Sequence, residues 1–170
     1  MRCRLTALVL SVLALIAPAL GAQEHASGHD HATMGRDSGY AAMQDRGKVA
    51  MGVDQYTSAH RFDDAADGGR IVLQRDAADT AGTAVIRRHL ATVAAEFARG
   101  NFAVPGFVHA STVPGTDVMA ARRAAIRYQV AELPGGGEIR IRSADPVAVA
   151  AVHRFLAFQR SEHRAPGTAL

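Results

Sequence analysis

The chain reads as an α+β domain built from two duplicated strand-strand-helix units, which together would form a four-stranded antiparallel sheet with two helices on one face. Two observations predict this. Alternating apolar and polar residues flank a glycine-rich turn twice, near Gly68 and near Gly136. Each pair of alternating runs is followed by a stretch whose apolar residues recur at helical spacing. A third observation bears on how such a domain is held. The only cysteine, Cys3, lies in a segment expected to be removed, so the mature chain has no disulfide and must rest on an ordinary core.

Residues 1–22 have the three-part layout of an export signal. Arg2 and Arg4 precede an uncharged apolar run, Pro18 ends that run, and Ala19 or Ala22 offers a small-residue cleavage site. The apolar run is shorter than the ~20 residues that span a bilayer, so no membrane association is expected after cleavage. The mature protein is expected to be periplasmic or secreted, with about 150 residues, enough for one domain. Losing Arg2 and Arg4 takes the formal net charge from +3 to +1, so global charge selects no partner. Export also makes nucleic acid an unexpected one.

Residues 23–50 are rich in Gly, Ala, Ser, Asp and His, with little apolar pattern, and are read as a flexible arm. The folded domain is expected over 51–164, with a tail at 165–170. His60 and Phe62 alternate with Arg61 and Asp63 as in a strand; Asp67-Gly68-Gly69 supplies the turn; Ile71 and Leu73 continue in a second strand. From about residue 80 to 99, Ile86, Leu90, Val93 and Phe97 mark a helix that Gly100 closes. Residues 100–118 show no period and read as a long loop carrying His109. The plan then repeats. Ile126, Tyr128 and Val130 alternate, Pro134-Gly135-Gly136-Gly137 turns the chain, and Ile139 and Ile141 return. Asp145 and Pro146 start a helix with Val149, Val152 and Leu156 inward. Aligning Gly68-Gly69 with Gly136-Gly137 sets His60 against Tyr128 and, after a two-residue slip, His89-Leu90 against Phe155-Leu156.

Metal chemistry is the leading functional expectation. His25, His29, His31 and Met34 crowd the arm, and imidazole suits copper, nickel and zinc, while thioether favours Cu(I). Cleavage after Ala22 would start the chain at Gln23-Glu24-His25, whose amine, two amides and imidazole offer four nitrogens in a plane for Cu(II) or Ni(II). In the domain, His60, His89 and His153 all fall on core-facing positions, with His109, Met51 and Met119 as further candidate ligands; separate, locally bonded core histidines are the plainer alternative. A second class of function is a non-catalytic binding or assembly module. It would use the 100–118 segment, or an outer sheet face bearing Arg61, Arg70, Arg127, Arg140 and Arg142 to meet an anionic or protein partner. Enzymatic activity is not expected: the chain lacks a G-x-S-x-G elbow, an H-E-x-x-H helix and a phosphate loop.

Six stretches carry a resemblance: MGVDQ at 51–55, AHRF at 59–62, IRRHL at 86–90, FVH at 107–109, VPGT at 113–116 and HRFLAFQ at 153–159. Through them the domain, though not the arm, resembles a group of small exported bacterial proteins without an established activity. Proteins of this look sometimes carry an aspartate carbamoyltransferase label. That enzyme's two-domain fold is about twice this long and has a carbamoyl-phosphate S-T-R-T loop, which this chain lacks, so the resemblance implies a family and no mechanism.

Overall fold

The structure, a computed structural model, describes residues 31–169, and side-chain surroundings from residue 38 onward. Its centre is a sheet of four antiparallel strands, β1 (Ser58–Ala65), β2 (Gly68–Arg75), β3 (Ile126–Leu133) and β4 (Gly136–Ser143), in the order β1-β2-β4-β3. Both hairpins close on two-residue turns, Ala66-Asp67 and Pro134-Gly135. The turns therefore precede the glycine pairs, which lie inside β2 and β4. The first pairs Ser58 with Arg75 and the second Ile126 with Ser143, so the same register recurs 68 residues later. At the centre of the sheet Ile71 pairs with Ile139, the residue at the same position of the other hairpin. An approximate two-fold axis thus passes between these two isoleucines.

Two long helices cover one face of the sheet. In chain order the helices are α1 (His31–Met51), α2 (Thr80–Ala98), α3 (Ala103–His109), α4 (Thr116–Ala121) and α5 (Pro146–Glu162). Asp79 and Asp145 begin α2 and α5 by accepting from Gly82 N and Val147 N, the capping that short carboxylates provide. Each long helix crosses to the other hairpin: α2 packs on β3 and β4, α5 on β1 and β2. Two glycines allow the close approach. A Cβ at Gly69 would meet Leu156 Cδ1 of α5, and one at Gly137 would stand 3.1 Å from Leu90 Cδ1 of α2. Ile86, Leu90, Phe97, Ile139, Ile141, Val152, Phe155 and Leu156 form the buried centre. Val130, expected inside, sits near the β3 edge at 43 % exposure, whereas Phe62 at the same place on β1 is buried.

Three expectations need correction. The segment read as an arm is helical from residue 31, and the folded unit runs from His31 rather than Met51. Three glycines and the lack of a broad apolar face hide α1 in the sequence. A narrow stripe of Met43, Gly47 and Met51, with Gln44 beside it, buries the helix, and Arg46 Nε donates to Val108 O at 2.8 Å. Tertiary packing here outweighs weak propensity. The expected 100–118 loop contains α3 and runs into α4, helices of seven and six residues, too short to display a 3.6-residue period. The expected tail pairs with the free edge of β1: Phe62 N donates to Pro166 O at 3.2 Å and Asp64 N to Thr168 O at 2.7 Å. That contact blunts an edge that would otherwise offer unpaired backbone groups.

Candidate functional site

Where α1, α3 and the end of α5 meet β1, a cavity of about 90 Å³ opens beneath the sheet's helical face. His60 of β1, His89 of α2, His109 of α3 and His163 at the end of α5 all line it. Met51 and Gln55 close one side and Gln159 another; the remaining wall is apolar, including Phe62, Leu73, Phe97 and Phe155. No Asp or Glu contributes to the wall.

The four imidazoles differ in how they are held. His163 is central: its ring lies 4.8 Å from that of His60, nearly parallel, and 5.1 Å from that of His109, nearly perpendicular. His109 donates from Nε2 to Gln159 Oε1 at 3.1 Å, so its Nδ1 carries the lone pair when the amide is oriented this way. His89 hydrogen-bonds the Ala50 carbonyl near the end of α1. Four buried polar atoms in the cavity residues have no hydrogen-bond partner in the protein: Gln55 Oε1, His109 Nδ1, Gln159 Nε2 and His163 Nδ1. Orphaned groups of this kind are rare in folded proteins, and four around one cavity mark it out.

Burial keeps these rings neutral. It pushes His163 down to about 3, helped by the neighbouring His60 and His109, and His60 down to about 4, helped by His89. His89 and His109 are also lowered, chiefly by burial. At neutral pH the site therefore presents lone pairs and N–H groups rather than charge.

The pseudo-two-fold relation makes the site's asymmetry visible. His60 on β1 corresponds to Tyr128 on β3. Taking the caps Asp79 and Asp145 as equivalent, His89 corresponds to Phe155, and His163 to Phe97. In the other half, Phe97 packs against Tyr128 at 5.9 Å and against Phe155 at 5.7 Å, edge to face, a closed aromatic cluster. Three aromatic positions of one half are thus histidines in the other, and the cavity wall takes all three histidines together with Phe97 and Phe155 but not Tyr128.

The sequence-derived candidates divide accordingly. His60, His89, His109 and Met51 come together at the cavity. His153 does not: its Nε2 donates to Ala65 O at 2.9 Å, the role of a locally satisfied core histidine. Met119 is fully buried in the core and does not line the cavity. The expected convergence of His60, His89 and His153 is therefore replaced by His60, His89, His109 and His163. Among the described residues no group of three or more His, Cys, Asp or Glu side chains is disposed to hold a metal ion. His163 was missed because it follows the last apolar position of α5; its spacing of four from Gln159 was the available signal. His25 and His29, and the planar site proposed at Gln23-Glu24-His25, lie outside the described residues. His31 and Met34 belong to α1, with their side-chain surroundings likewise outside the description.

The outer sheet face is less basic than its arginine count implies. Arg61 and Arg70 pair with Asp63, Arg70 and Arg140 with Glu138, and Arg142 with Asp67. Asp63 feels burial that raises its pKa, but hydrogen bonds from Arg61 and Arg70 outweigh it and hold the carboxyl below its ordinary value. No protein-family model, curated protein or solved structure matches this chain. The geometry alone must carry the functional reading.

Proposed function

We propose that this chain is an exported, non-catalytic binding protein whose ligand occupies the imidazole cavity, and that the ligand is copper in its Cu(I) state, held for buffering, delivery or resistance. The observation that carries the reading is four neutral imidazoles and the Met51 thioether around one small cavity with no carboxylate in its wall. An uncompensated charge in such a wall is costly, and more so for a divalent than a monovalent ion. Cu(I) accepts soft thioether together with imidazole. Met51 Sδ, which accepts from Gln55 Nε2 at 3.7 Å, is the soft ligand that this reading calls on beside imidazole. Nickel and zinc, which the arm's histidines also suit, find less here.

The repeat supports the same reading. We take the two strand-strand-helix units as an internal duplication in which one half kept an aromatic core and the other acquired a histidine-lined site. Core packing alone is met by Tyr128, Phe155 and Phe97 in the sister half, so histidine at 60, 89 and 163 serves something else.

The test is Cu(I) titration under reducing conditions against a chromophoric chelator, using the mature chain and its His163→Phe and Met51→Leu variants. One equivalent lost in both variants, with folding retained, supports the cavity. Unchanged stoichiometry in both assigns any copper to the arm and removes it from the cavity. A second reading, a small hydrogen-bonding organic ligand, is favoured by the mostly apolar wall and the four orphaned polar atoms. Thermal stabilisation by imidazole, but not by Cu(I), would select it.

A further inference from the structure

The outer face of the sheet carries a second feature, independent of the cavity. Arg70 stands directly opposite Arg140 across β2 and β4, and Arg142 directly opposite Arg127 across β4 and β3. Like charges facing each other in a ladder oppose pairing, so this arrangement runs against the stability of the sheet. Beneath the arginines lie two carboxylates almost without solvent contact, Asp63 at 6 % and Glu138 at 1 % exposure. They grip the arginines by Nε. Arg61 Nε donates to both Asp63 oxygens at 2.9 Å, Arg70 Nε to Asp63 Oδ2 at 2.7 Å and Arg140 Nε to Glu138 Oε1 at 2.6 Å. Among the described residues no acceptor reaches the Nη atoms of Arg61 or Arg140. These guanidinium groups are held from below with their outer edges turned to solvent.

Arg61, Arg70, Arg140 and Arg142 surround a hollow of about 370 Å³, with Asp63, Asp64, Asp67, Gly69 and Thr168 also in its wall. The carboxylates in the wall are all engaged: Asp63 by Arg61 and Arg70, Asp64 by Arg160 at 2.9 Å and Asp67 by Arg142 at 3.5 Å. With Arg160, five guanidinium groups meet the carboxylates of Asp63, Asp64, Asp67 and Glu138, an excess of one positive charge.

We propose that this hollow is a binding site for a small, free, multivalent phosphate. Tetrahedral oxyanions accept paired N–H bonds from fixed guanidinium edges, which suits arginine better than lysine. A multivalent anion here offsets the excess charge and relieves the Arg70–Arg140 pair, both of whose members line the hollow. The concave form and its size suit a small molecule rather than a flat lipid surface.

The probe is inorganic pyrophosphate, titrated calorimetrically into the mature protein at low ionic strength, beside vesicles containing phosphatidylglycerol. One saturable pyrophosphate per chain is expected. Arg140→Gln should weaken it roughly ten-fold or more, as should Arg142→Gln, whose exposed partner Asp67 leaves no buried charge behind. Arg140→Lys should not restore affinity, and Arg154→Gln, on the exposed side of α5, should leave it unchanged. The proposal is overturned if pyrophosphate does not saturate, if folded Arg140→Gln and Arg142→Gln both bind as the parent does, or if only vesicles retain the protein.

Discussion

Acid should loosen this fold well before its carboxylates protonate, and the size of the effect follows from two histidines. In the unfolded chain a histidine takes up its proton near 6.5, whereas His60 does so at about 4 and His163 at about 3 in the fold. The folded values are depressed, so the unfolded state binds more protons below 6.5. Stability is then fully present above that pH and falls as pH drops; the loss stops growing below about 4 for His60 and about 3 for His163. At pH 5 each ring remains neutral in the fold, and each removes about 2 kcal/mol, or about 4 kcal/mol together. His89 and His109, also lowered by burial, act in the same direction. Asp63, whose carboxyl is held below its ordinary 3.8, loses its contribution only in more acid solution, outside this window.

Urea unfolding of the wild type and His163→Phe near pH 7 and near pH 5 measures the difference directly. Phenylalanine is the residue at the equivalent position of the sister half, and the adjoining cavity has room for its ring. The wild type should lose about 4 kcal/mol between the two conditions and the variant about half of that. At neutral pH the variant should match or exceed the wild type, because the orphaned His163 Nδ1 is gone. Equal losses in the two proteins, or a wild-type loss under about 1 kcal/mol, would refute the picture of buried neutral imidazoles.

Three further outcomes follow from the packing. Gly69→Ala should destabilise by about 1–3 kcal/mol, because the new methyl meets both Leu156 and the Asp63 carbonyl, while Gly137→Ala should cost somewhat less, its methyl standing 2.8 Å from the Ala131 carbonyl oxygen and 3.1 Å from Leu90 Cδ1; thermal or urea unfolding ranks the two. Deleting residues 165–170 should free the β1 edge and raise self-association, seen by light scattering, with a stability loss of about 1–3 kcal/mol from the lost bonds to Phe62, Asp63 and Asp64. His153→Ala should lower stability through its lost bond to Ala65 O yet leave cavity ligand binding intact, whereas His109→Ala should weaken binding while folding is retained.

The hairpins and their helices were legible because each had a dense local signal. Alternation in β1 to β4, glycines at the hairpins and the caps Asp79 and Asp145 all act within a few residues. The helices α1, α3 and α4 left no such signal. Their helical state depends on what they cover, as when Gly47 lets Gln55 approach α1 and Arg46 reaches the Val108 carbonyl. A seven-residue helix such as α3 ends before a period can be counted. The site was half legible for the same reason. His60 and His89 announced themselves by facing the core from elements with a clear period. His109 stood out only as a histidine of the unpatterned 100–118 segment, and His163, at the end of α5 where facing is set by neighbours distant in sequence, did not stand out at all.

The exchange of helices between hairpins explains why the cavity could not be read from either unit alone. Because α5 lies over β1, His163 of the second unit stacks on His60 of the first, and because α2 lies over β3, Phe97 meets Tyr128. A substitution in one unit is therefore answered in the other. Changing His60 and His163 together distinguishes a histidine site from a pair of incidental core residues. If His60 and His163 merely filled space, replacing them by Tyr and Phe would reproduce the sister cluster with no lost function. If they hold a ligand, the same replacement should yield a protein that is more acid-resistant and no longer binds. Stability and binding then move in opposite directions, the pattern expected where a core has been given up for a site.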